Sequence, residues 1–179
     1  MEPKPQAFAI WVTGLPASGK STLVAALRTQ LADAGIDVAV LESDVLRPVF
    51  TPQARYQEED RDAFYRQIVY VGSLLTRHGV PVIFDATAQR RSYRDRARAE
   101  IPRFLEVYVE CPLSTCVARD PKGVYRKARE GQATTVPGLQ TVYEPPEAPD
   151  VVVRGDQETP EDAARWVVAR LREKGLIAR

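Results

Sequence analysis

The segment Gly14-Leu15-Pro16-Ala17-Ser18-Gly19-Lys20-Ser21 is the most informative part of the chain, because it follows the apolar run Ala7 to Thr13 and precedes a helical pattern. It matches G-x-x-x-x-G-K-[ST] at every fixed position. The two glycines allow successive backbone N–H groups to point at one anion at a helix N-terminus. Strand, loop and helix follow one another as that mechanism requires, so the segment is predicted to bind phosphate groups.

The side chains of this loop have predicted roles in binding ATP and magnesium. Lys20 is expected to reach the β- and γ-phosphates, and the Ser21 hydroxyl is expected to ligate Mg²⁺. The predicted nucleotide-binding set within the loop is Gly14, Ala17, Ser18, Gly19, Lys20, Ser21 and Thr22. Such a loop serves ATPase switches, GTPases and small-molecule kinases alike, and the chain has no Asn-Lys-x-Asp signature for guanine.

Composition sets the class of protein. The chain has 179 residues, 44% of them hydrophobic and 27% charged, which is typical of one globular domain. Its net charge of +1 argues against a partner held by bulk charge, such as nucleic acid or an anionic membrane. Two cysteines and one histidine make a disulfide framework or a zinc site improbable, and no export signal or membrane span is visible. We expect a reduced, cytoplasmic protein.

Apolar runs of strand length alternate with helical patterns. Because the runs are continuous, they are typical of strands buried on both faces of a parallel sheet. The predicted strands are Ala7 to Thr13, Val38 to Ser43, Val80 to Asp85, Phe104 to Glu110 and Val151 to Val153. The predicted helices are Lys20 to Ala34, about Glu59 to His78, Tyr93 to Glu100, Ser114 to Arg119 and Pro160 to about Lys174, with Thr159 as the last N-cap. The pattern predicts an α/β fold of three layers with a five-stranded parallel sheet, the fold of P-loop NTPases.

The stretch from Asp120 to Asp150 does not fit this alternation. It is rich in Arg, Lys, Gly and Pro and has few runs that look buried. We interpret it as a mobile lid over a site within a single domain of residues 1–179. The alternative is a disordered insertion.

Acidic residues end two of the predicted strands, where parallel sheets bind ligands. Asp44 is the candidate to orient and deprotonate an acceptor hydroxyl, and Arg47 is the candidate to bind an anionic part of the acceptor. Asp85 is the candidate to bind magnesium through water. The alternatives are a helix cap for Asp44 and a turn residue for Asp85.

Arginines crowd the region after the third predicted strand. Arg90, Arg94 and Arg98 share one helical face, so part of this group is predicted to be a solvated stripe.

Two further segments of the chain resemble the adenylylsulfate (APS) kinase family. The segment Arg119-Asp120-Pro121-Lys122-Gly123-Val124-Tyr125-Arg126-Lys127-Ala128-Arg129 follows that family's R-D-P-K-G-L-Y-K-K-A-R, and Tyr143-Glu144-Pro145-Pro146 resembles its Y-E-P-P. The resemblance covers about Phe8 to Asp150. It implies transfer of the ATP γ-phosphate to the 3′-hydroxyl of APS, giving PAPS, under a lid.

The resemblance also implies site residues. Asp44 and Arg47 match the family's D-G-D-N-V-R motif, and Arg61 matches an arginine that contacts APS. Tyr56 matches an aromatic residue that stacks on the APS adenine. Arg91 matches the arginine that ends the family's S-x-I-S-P-Y/F-R segment. Arg119 and Lys122 are the implied lid cations, which neutralise charge in the transition state, and Lys122 is expected to act in catalysis by approaching the bridging phosphates when the lid closes.

Several family positions differ here. Phe64 replaces an asparagine, Val136 replaces a lid phenylalanine, and Asp85-Ala86-Thr87-Ala88-Gln89 replaces a segment with a serine and a proline. The acceptor is therefore open between APS and another hydroxyl, on a nucleotide, a sugar or an oligonucleotide end. A third hypothesis is a nucleotide-binding module that regulates a partner. The resemblance also suggests a homodimer.

Overall fold

The computed structural model describes residues 6–53 and 57–178. Within these residues, five strands form one sheet: β1 (Ala9–Thr13), β2 (Ala39–Glu42), β3 (Val82–Asp85), β4 (Phe104–Glu110) and β5 (Val151–Arg154). Their order is β2-β3-β1-β4-β5, and every pairing is parallel. The predicted parallel sheet is confirmed, with β1 at its centre.

Helices cover both faces of this sheet, as the alternation of strands and helices predicts. They are α1 (Lys20–Asp33), α2 (Ser43–Phe50), α3 (Glu58–Arg77), α4 (Arg91–Glu100), α5 (Leu113–Arg119), α6 (Val124–Arg129) and α7 (Pro160–Glu173). The side chain of Thr159 accepts a hydrogen bond from the backbone N–H of Asp162, which confirms the predicted N-cap of α7. Two helices, α2 and α6, were not predicted from the sequence.

The buried core lies on the two sides of β1. Successive side chains of a strand point to opposite faces, so Ile10 and Val12 pack with α1 and α7, whereas Ala9 and Trp11 pack with α3 and α4. The Trp11 ring stacks on Phe84 of β3 with 4.5 Å between ring centroids, and its Nε1–H donates to the Ala86 carbonyl at 3.1 Å. These contacts fix the carboxyl ends of β1 and β3 side by side.

A third, smaller apolar cluster lies beside the phosphate loop. It joins Cys111, Cys116, Tyr125, Ala128 and Val136, with Leu15 and Ala17 of the phosphate loop packed against it. Both cysteines are buried free thiols, and burial raises the pKa of Cys116 to about 12. No helix within the described residues has the length and apolar character needed to cross a membrane.

Candidate active site

The loop between β1 and α1 has the backbone that the motif predicts. Gly14 has φ +154°, and a Cβ there would lie 2.5 Å from the Val109 carbonyl oxygen. Gly19, at φ +106°, is the N-cap of α1 and has no side-chain cap. The first N–H groups of α1 therefore have no side-chain partner at the loop and are available to an anion.

Lys20 lies inside the curve of this loop. Its Nζ donates hydrogen bonds to the carbonyl oxygens of Gly14 at 3.1 Å and Leu15 at 2.8 Å. Burial lowers the pKa of Lys20, while the nearby carboxylates of Asp85 and Asp44 act in the opposite direction. A buried cation of this kind is stabilised further by an anion in the loop.

Ser18 lies on the side of the phosphate loop that faces away from the cleft. Its Oγ is buried and has no hydrogen-bond partner in the described chain, and a Cβ at Gly14 would come within 2.8 Å of it. Neither Ser18 nor Gly14 lines the cleft described next. Their side of the loop faces Val109 and Gly155, so the structure supports a role for both in holding the loop's shape.

A cleft of about 860 Å³ opens at the carboxyl ends of the strands, beside the loop. It is bounded by α2, by the segment that begins at Arg119, and by the start of α7. The structure brings most of the predicted site residues to its lining: Ala17, Gly19, Lys20, Ser21, Thr22, Asp44, Arg47, Arg61, Asp85, Arg119 and Lys122.

Asp44 and Lys122 meet across this cleft. Lys122 Nζ lies 2.6 Å from Asp44 Oδ2 and 4.0 Å from Glu42 Oε1. The hydrogen bond to Asp44 raises the pKa of Lys122, against a smaller opposing effect of desolvation. Asp44 lies in the first turn of α2, whose N-cap is Glu42 and which has no side-chain cap bond. The structure therefore does not support the cap alternative for Asp44.

Asp85 is the last residue of β3 and is only 5% exposed. It lines the cleft together with Ser21. A carboxylate and a hydroxyl are the hard oxygen donors that Mg²⁺ takes. No group of three His, Cys, Asp or Glu side chains in residues 6–53 and 57–178 could hold a metal ion. The site therefore fits a Mg²⁺ that completes its ligands with phosphate oxygens and water.

Arg47 is buried against two aromatic rings of α3. Its guanidinium carbon lies 4.0 Å from the Phe64 ring centroid and 5.8 Å from that of Tyr65. Stacking on a ring holds the guanidinium plane in one orientation. Phe64, which stands where the resembled family has an asparagine, thus supports an arginine at the cleft.

Arg61 joins three parts of the chain. From α3, its Nη1 donates to Gln89 Oε1 at 3.2 Å, and its Nη2 donates to the Thr135 carbonyl at 2.8 Å and to Thr135 Oγ1 at 3.1 Å. It is 8% exposed and lines the cleft. This arginine fastens the lid segment to the loop after β3.

Arg119 lies on the β5 side of the cleft. Its Nη1 donates to the Gly155 carbonyl at 2.9 Å. Sequence reasoning missed the residues around it that also line the cleft, which are Val153, Gly155, Glu158, Pro160 and Ala163. The signal that could have found them is the end of the last apolar strand at Arg154-Gly155. In a parallel sheet, the carboxyl end of that strand lies on the same side as the carboxyl end of β1, where the phosphate loop begins.

One predicted acceptor residue, Arg91, does not line the cleft. Arg91 begins α4, and its guanidinium pairs with Glu147 and lies 3.9 Å from Glu144, outside the cleft lining. Its backbone N–H also donates to Glu144 Oε2 at 2.8 Å. Tyr56 falls outside the described residues.

The segment from Asp120 to Asp150 contains a helix and is joined to the rest of the fold by hydrogen bonds in its first and last parts. Its first part contains α6, where Asp120 accepts from the N–H groups of Tyr125 and Arg126, and the Tyr125 hydroxyl donates to the Pro16 carbonyl at 2.9 Å. This is not a disordered insertion. Its last part is anchored to the sheet, since Tyr143 Oη lies 2.9 Å from Thr13 Oγ1.

The arginine-rich region is a set of ion pairs: Arg90 and Arg98 keep partly exposed side chains, as the predicted stripe requires, whereas Arg94 between them is buried. The pairs are Arg66–Asp62, Arg90–Glu58, Arg91–Glu144, Arg91–Glu147, Arg94–Glu106, Arg96–Asp62, Arg98–Glu106 and Arg98–Asp150. Arg94, at 1% exposed, is the most deeply buried of these arginines.

The parallel sheet, the glycine-bounded loop and the buried Lys20 define a P-loop nucleotide-binding protein of the kinase type. The adenylylsulphate kinase family model matches residues 6–154. The chain belongs to that family, and it is a phosphotransferase with a hydroxyl acceptor.

Individual relatives agree with this assignment. The chain is 40% identical over 176 residues to the adenylyl-sulfate kinase of Rippkaea orientalis, covering 98% of this chain and 97% of the relative. It is 41% identical over 174 residues to that of Microcystis aeruginosa, covering 97% and 96%. Among solved structures, the APS kinase CysC of Mycobacterium tuberculosis, in complex with AMPPNP and APS, superposes with a TM-score of 0.88 at 31% identity, covering 94% of this chain and 99% of that one.

Proposed function

We propose that the chain transfers the γ-phosphoryl group of ATP to the 3′-hydroxyl of APS, giving PAPS and ADP. The observation that carries the proposal is a cleft in which a phosphate-binding loop with Lys20 and a carboxylate, Asp44, paired with a lid cation, Lys122, line the same space. Membership of the adenylylsulphate kinase family supports APS as the acceptor.

The nucleotide binds along the loop and toward β5. The N–H groups at the start of α1 and the Lys20 ammonium hold the β- and γ-phosphates, and Thr22 lies at the α-phosphate. Arg119, fixed by its bond to the Gly155 carbonyl, offers a planar cation beside the apolar surface of Val153 and Ala163. That combination fits the base of the nucleotide.

Ser21 and Asp85 would hold Mg²⁺, directly for the hydroxyl and through water for the carboxylate. Such an ion neutralises charge on the β- and γ-phosphate oxygens when it is bound.

The acceptor binds on the α2 and α3 side. Asp44 orients the attacking hydroxyl and accepts its proton, while Arg47 and Arg61 bind the anionic phosphosulfate part. Both arginines are preorganised, Arg47 by its stack on Phe64 and Arg61 by its bonds to Gln89 and Thr135. Tyr56, as the aromatic residue for the APS adenine, remains a prediction.

Phosphoryl transfer passes through a loose transition state, so positioning and charge neutralisation do most of the work. Lys122 neutralises charge on the transferring group when its ammonium moves from Asp44 toward the phosphates. That step requires the segment 120–150 to act as a mobile lid, within one kinase domain of residues 1–179.

A second acceptor is supported by one observation. Val136, where the resembled family has a phenylalanine, is 5% exposed and packs into the apolar cluster of the lid segment. It offers no ring to the acceptor base, which favours a kinase whose acceptor is a different hydroxyl compound.

The test is incubation of the protein with ATP, Mg²⁺ and APS, with PAPS detected by mass spectrometry beside a panel of nucleosides, sugars and 5′-hydroxyl oligonucleotides. PAPS formation that exceeds every other product, and that a Lys20→Met variant does not show, is the expected result. Product from another acceptor alone would establish the second candidate instead. A homodimer and a cytoplasmic location stay predictions, the first to be measured by light scattering.

A further inference from the structure

The loop after β3 is held in an unfavourable backbone conformation beside the cleft. Ala88 has φ +42°, in the left-handed region that a residue with a side chain rarely adopts, and it is fully buried. Its N–H donates to the Tyr65 hydroxyl at 3.0 Å. Such a conformation persists only where the surroundings fix it from several directions.

Arg94 makes three hydrogen bonds that hold this loop and the segments next to it. Its Nη1 donates to the Ala88 carbonyl, its Nη2 to the Glu144 carbonyl at 2.6 Å, and its Nε to Glu106 Oε1 at 2.8 Å. The guanidinium is thus shared among the loop after β3, the strand β4 and the returning end of the lid segment. A planar fork with fixed N–H directions can make all three bonds at once.

Gln89, the residue after Ala88, connects this loop to Arg61 at the cleft. The Gln89 carbonyl accepts from the Glu144 N–H at 2.7 Å, and Gln89 Oε1 accepts from Arg61 Nη1 at 3.2 Å. Gln89 is therefore fixed through both its backbone and its side chain, and Arg61 is fixed through Gln89. None of the three Arg94 bonds given above goes to the phosphate loop.

We propose that Arg94 is a positioning residue for acceptor binding, which acts through Ala88 and Gln89 on Arg61. The inference rests on the proposed function, because it takes Arg61 as a residue of the acceptor site. The buried pair with Glu106 holds the guanidinium in place, and the two carbonyl bonds set the loop. Loss of the Arg94 guanidinium is expected to weaken acceptor binding and to leave ATP binding unchanged.

The main test variant is Arg94→Met combined with Glu106→Leu. Replacing both partners of a buried ion pair with apolar side chains avoids an unpaired buried charge and commonly preserves the fold. Arg94→Lys is the second variant, since a single ammonium keeps the charge beside Glu106 but cannot reach three separated acceptors. The matched control is Arg98→Met, because Arg98 bonds the same Glu106 at 3.2 Å and its hydrogen bonds within the described residues go to Glu106 and Asp150, not to the loop after β3.

Two measurements decide the proposal. In steady-state kinetics, kcat/KM for APS is expected to fall about tenfold or more in both Arg94 variants, with KM for ATP within about twofold of wild type. In hydrogen exchange, the amides of Ala88 and Gln89 are expected to exchange faster in these variants and at the wild-type rate in Arg98→Met.

Three results overturn the proposal: wild-type kcat/KM for APS in a folded Arg94 variant, an equal rise of KM for both substrates, or the same defect in Arg98→Met. If the wild-type protein makes no PAPS, the proposed function fails separately. The kinetics are then repeated with the acceptor found in the panel, and the exchange measurement still decides whether Arg94 fixes the loop.

Discussion

The ammonium of Lys122 and the carboxylate of Asp44 lie 2.6 Å apart, joining the lid segment to the first turn of α2. Both side chains are more than half exposed, and exposed pairs contribute about 0–1 kcal/mol to stability. The pair therefore adds little stability, and its importance is that it shows Lys122 and Asp44 to be neighbours across the cleft. In the proposed mechanism the pair joins the proton acceptor Asp44 to the lid cation Lys122, and the two must separate to admit the hydroxyl and the phosphate.

Asp44→Asn is expected to lower kcat by about 10²- to 10⁴-fold, because the amide keeps the size and a hydrogen bond but cannot take the proton. The melting temperature should stay close to that of the wild type, since the lost pair is exposed. An ADP-release assay and thermal denaturation measure the two effects. Glu42→Gln is the control, because Glu42 lies 4.0 Å from the same ammonium and has no assigned role. Unchanged turnover in Asp44→Asn would remove it as the base.

Lys122→Met is expected to lower kcat by about a hundredfold through loss of charge neutralisation in the transition state. Because the bond to Asp44 raises the pKa of Lys122, the lysine stays charged throughout the neutral range. The contribution of the pair to stability is present below the ordinary lysine pKa and is lost as the pH rises through the raised value.

The pH profile of kcat between about pH 7 and 9 should therefore show no loss from this lysine. Lys127→Met is the matched control on the same segment, since Lys127 also lines the cleft. An equal loss in both variants would assign the effect to general positive charge and not to the position of Lys122.

Lys20→Met is expected to abolish transfer without lowering the melting temperature of the protein in the absence of nucleotide. Burial lowers the pKa of Lys20, so between that lowered value and the ordinary 10.5 the unfolded chain binds more protons than the folded one. Stability therefore rises with pH through this window in the wild type, and methionine removes that slope along with the cost of a buried charge.

Thermal denaturation across this pH range measures the slope, and the shift in melting temperature with ATP measures binding. The ATP-induced shift should disappear in Lys20→Met. A variant that melts well below the wild type would show that the bonds to the Gly14 and Leu15 carbonyls outweigh the cost of burial.

Arg61→Lys is expected to raise KM for APS by about ten- to a hundredfold, because one ammonium cannot replace the bonds to Gln89 and Thr135 and still face an anion. KM for ATP should stay within about twofold. The control is Arg91→Ala, since Arg91 pairs with Glu147 outside the cleft and its loss should leave both KM values unchanged. A rise of KM for APS in Arg91→Ala would return that arginine to the acceptor site.

The strands were predicted to within a few residues because four of the five are continuous apolar runs with a charged or polar end, and the apolar run of β4 is interrupted only by Glu106. The unpredicted helices lack such signals. Helix α2 contains Pro48, which reads as a helix breaker, and α6 is six residues long, with its buried face supplied by Tyr125 and Ala128. Both are stabilised by contacts with distant residues, such as the bond from Tyr125 to Pro16.

The arginines show a limit of local pattern. Arg90, Arg94 and Arg98 are spaced for one helical face, and the spacing gave Arg94 a solvated position. Its partner Glu106 is twelve residues away on β4, and the Ala88 and Glu144 carbonyls come from two further segments. A buried ion pair depends on which strand lies under the helix, and helical periodicity carries no information about that.

The sequence alone was enough to predict the sheet, the phosphate loop and a set of candidate ATP-binding residues, because a strand, a glycine-bounded turn and a helix that follow one another fix their own geometry. Tertiary structure alone decided which cations face the cleft: Arg47 on Phe64, Arg61 between Gln89 and Thr135, and Arg91 turned away to Glu147. Long side chains can follow many paths to a charge, and the path taken is set by packing and hydrogen bonds between segments far apart in the chain.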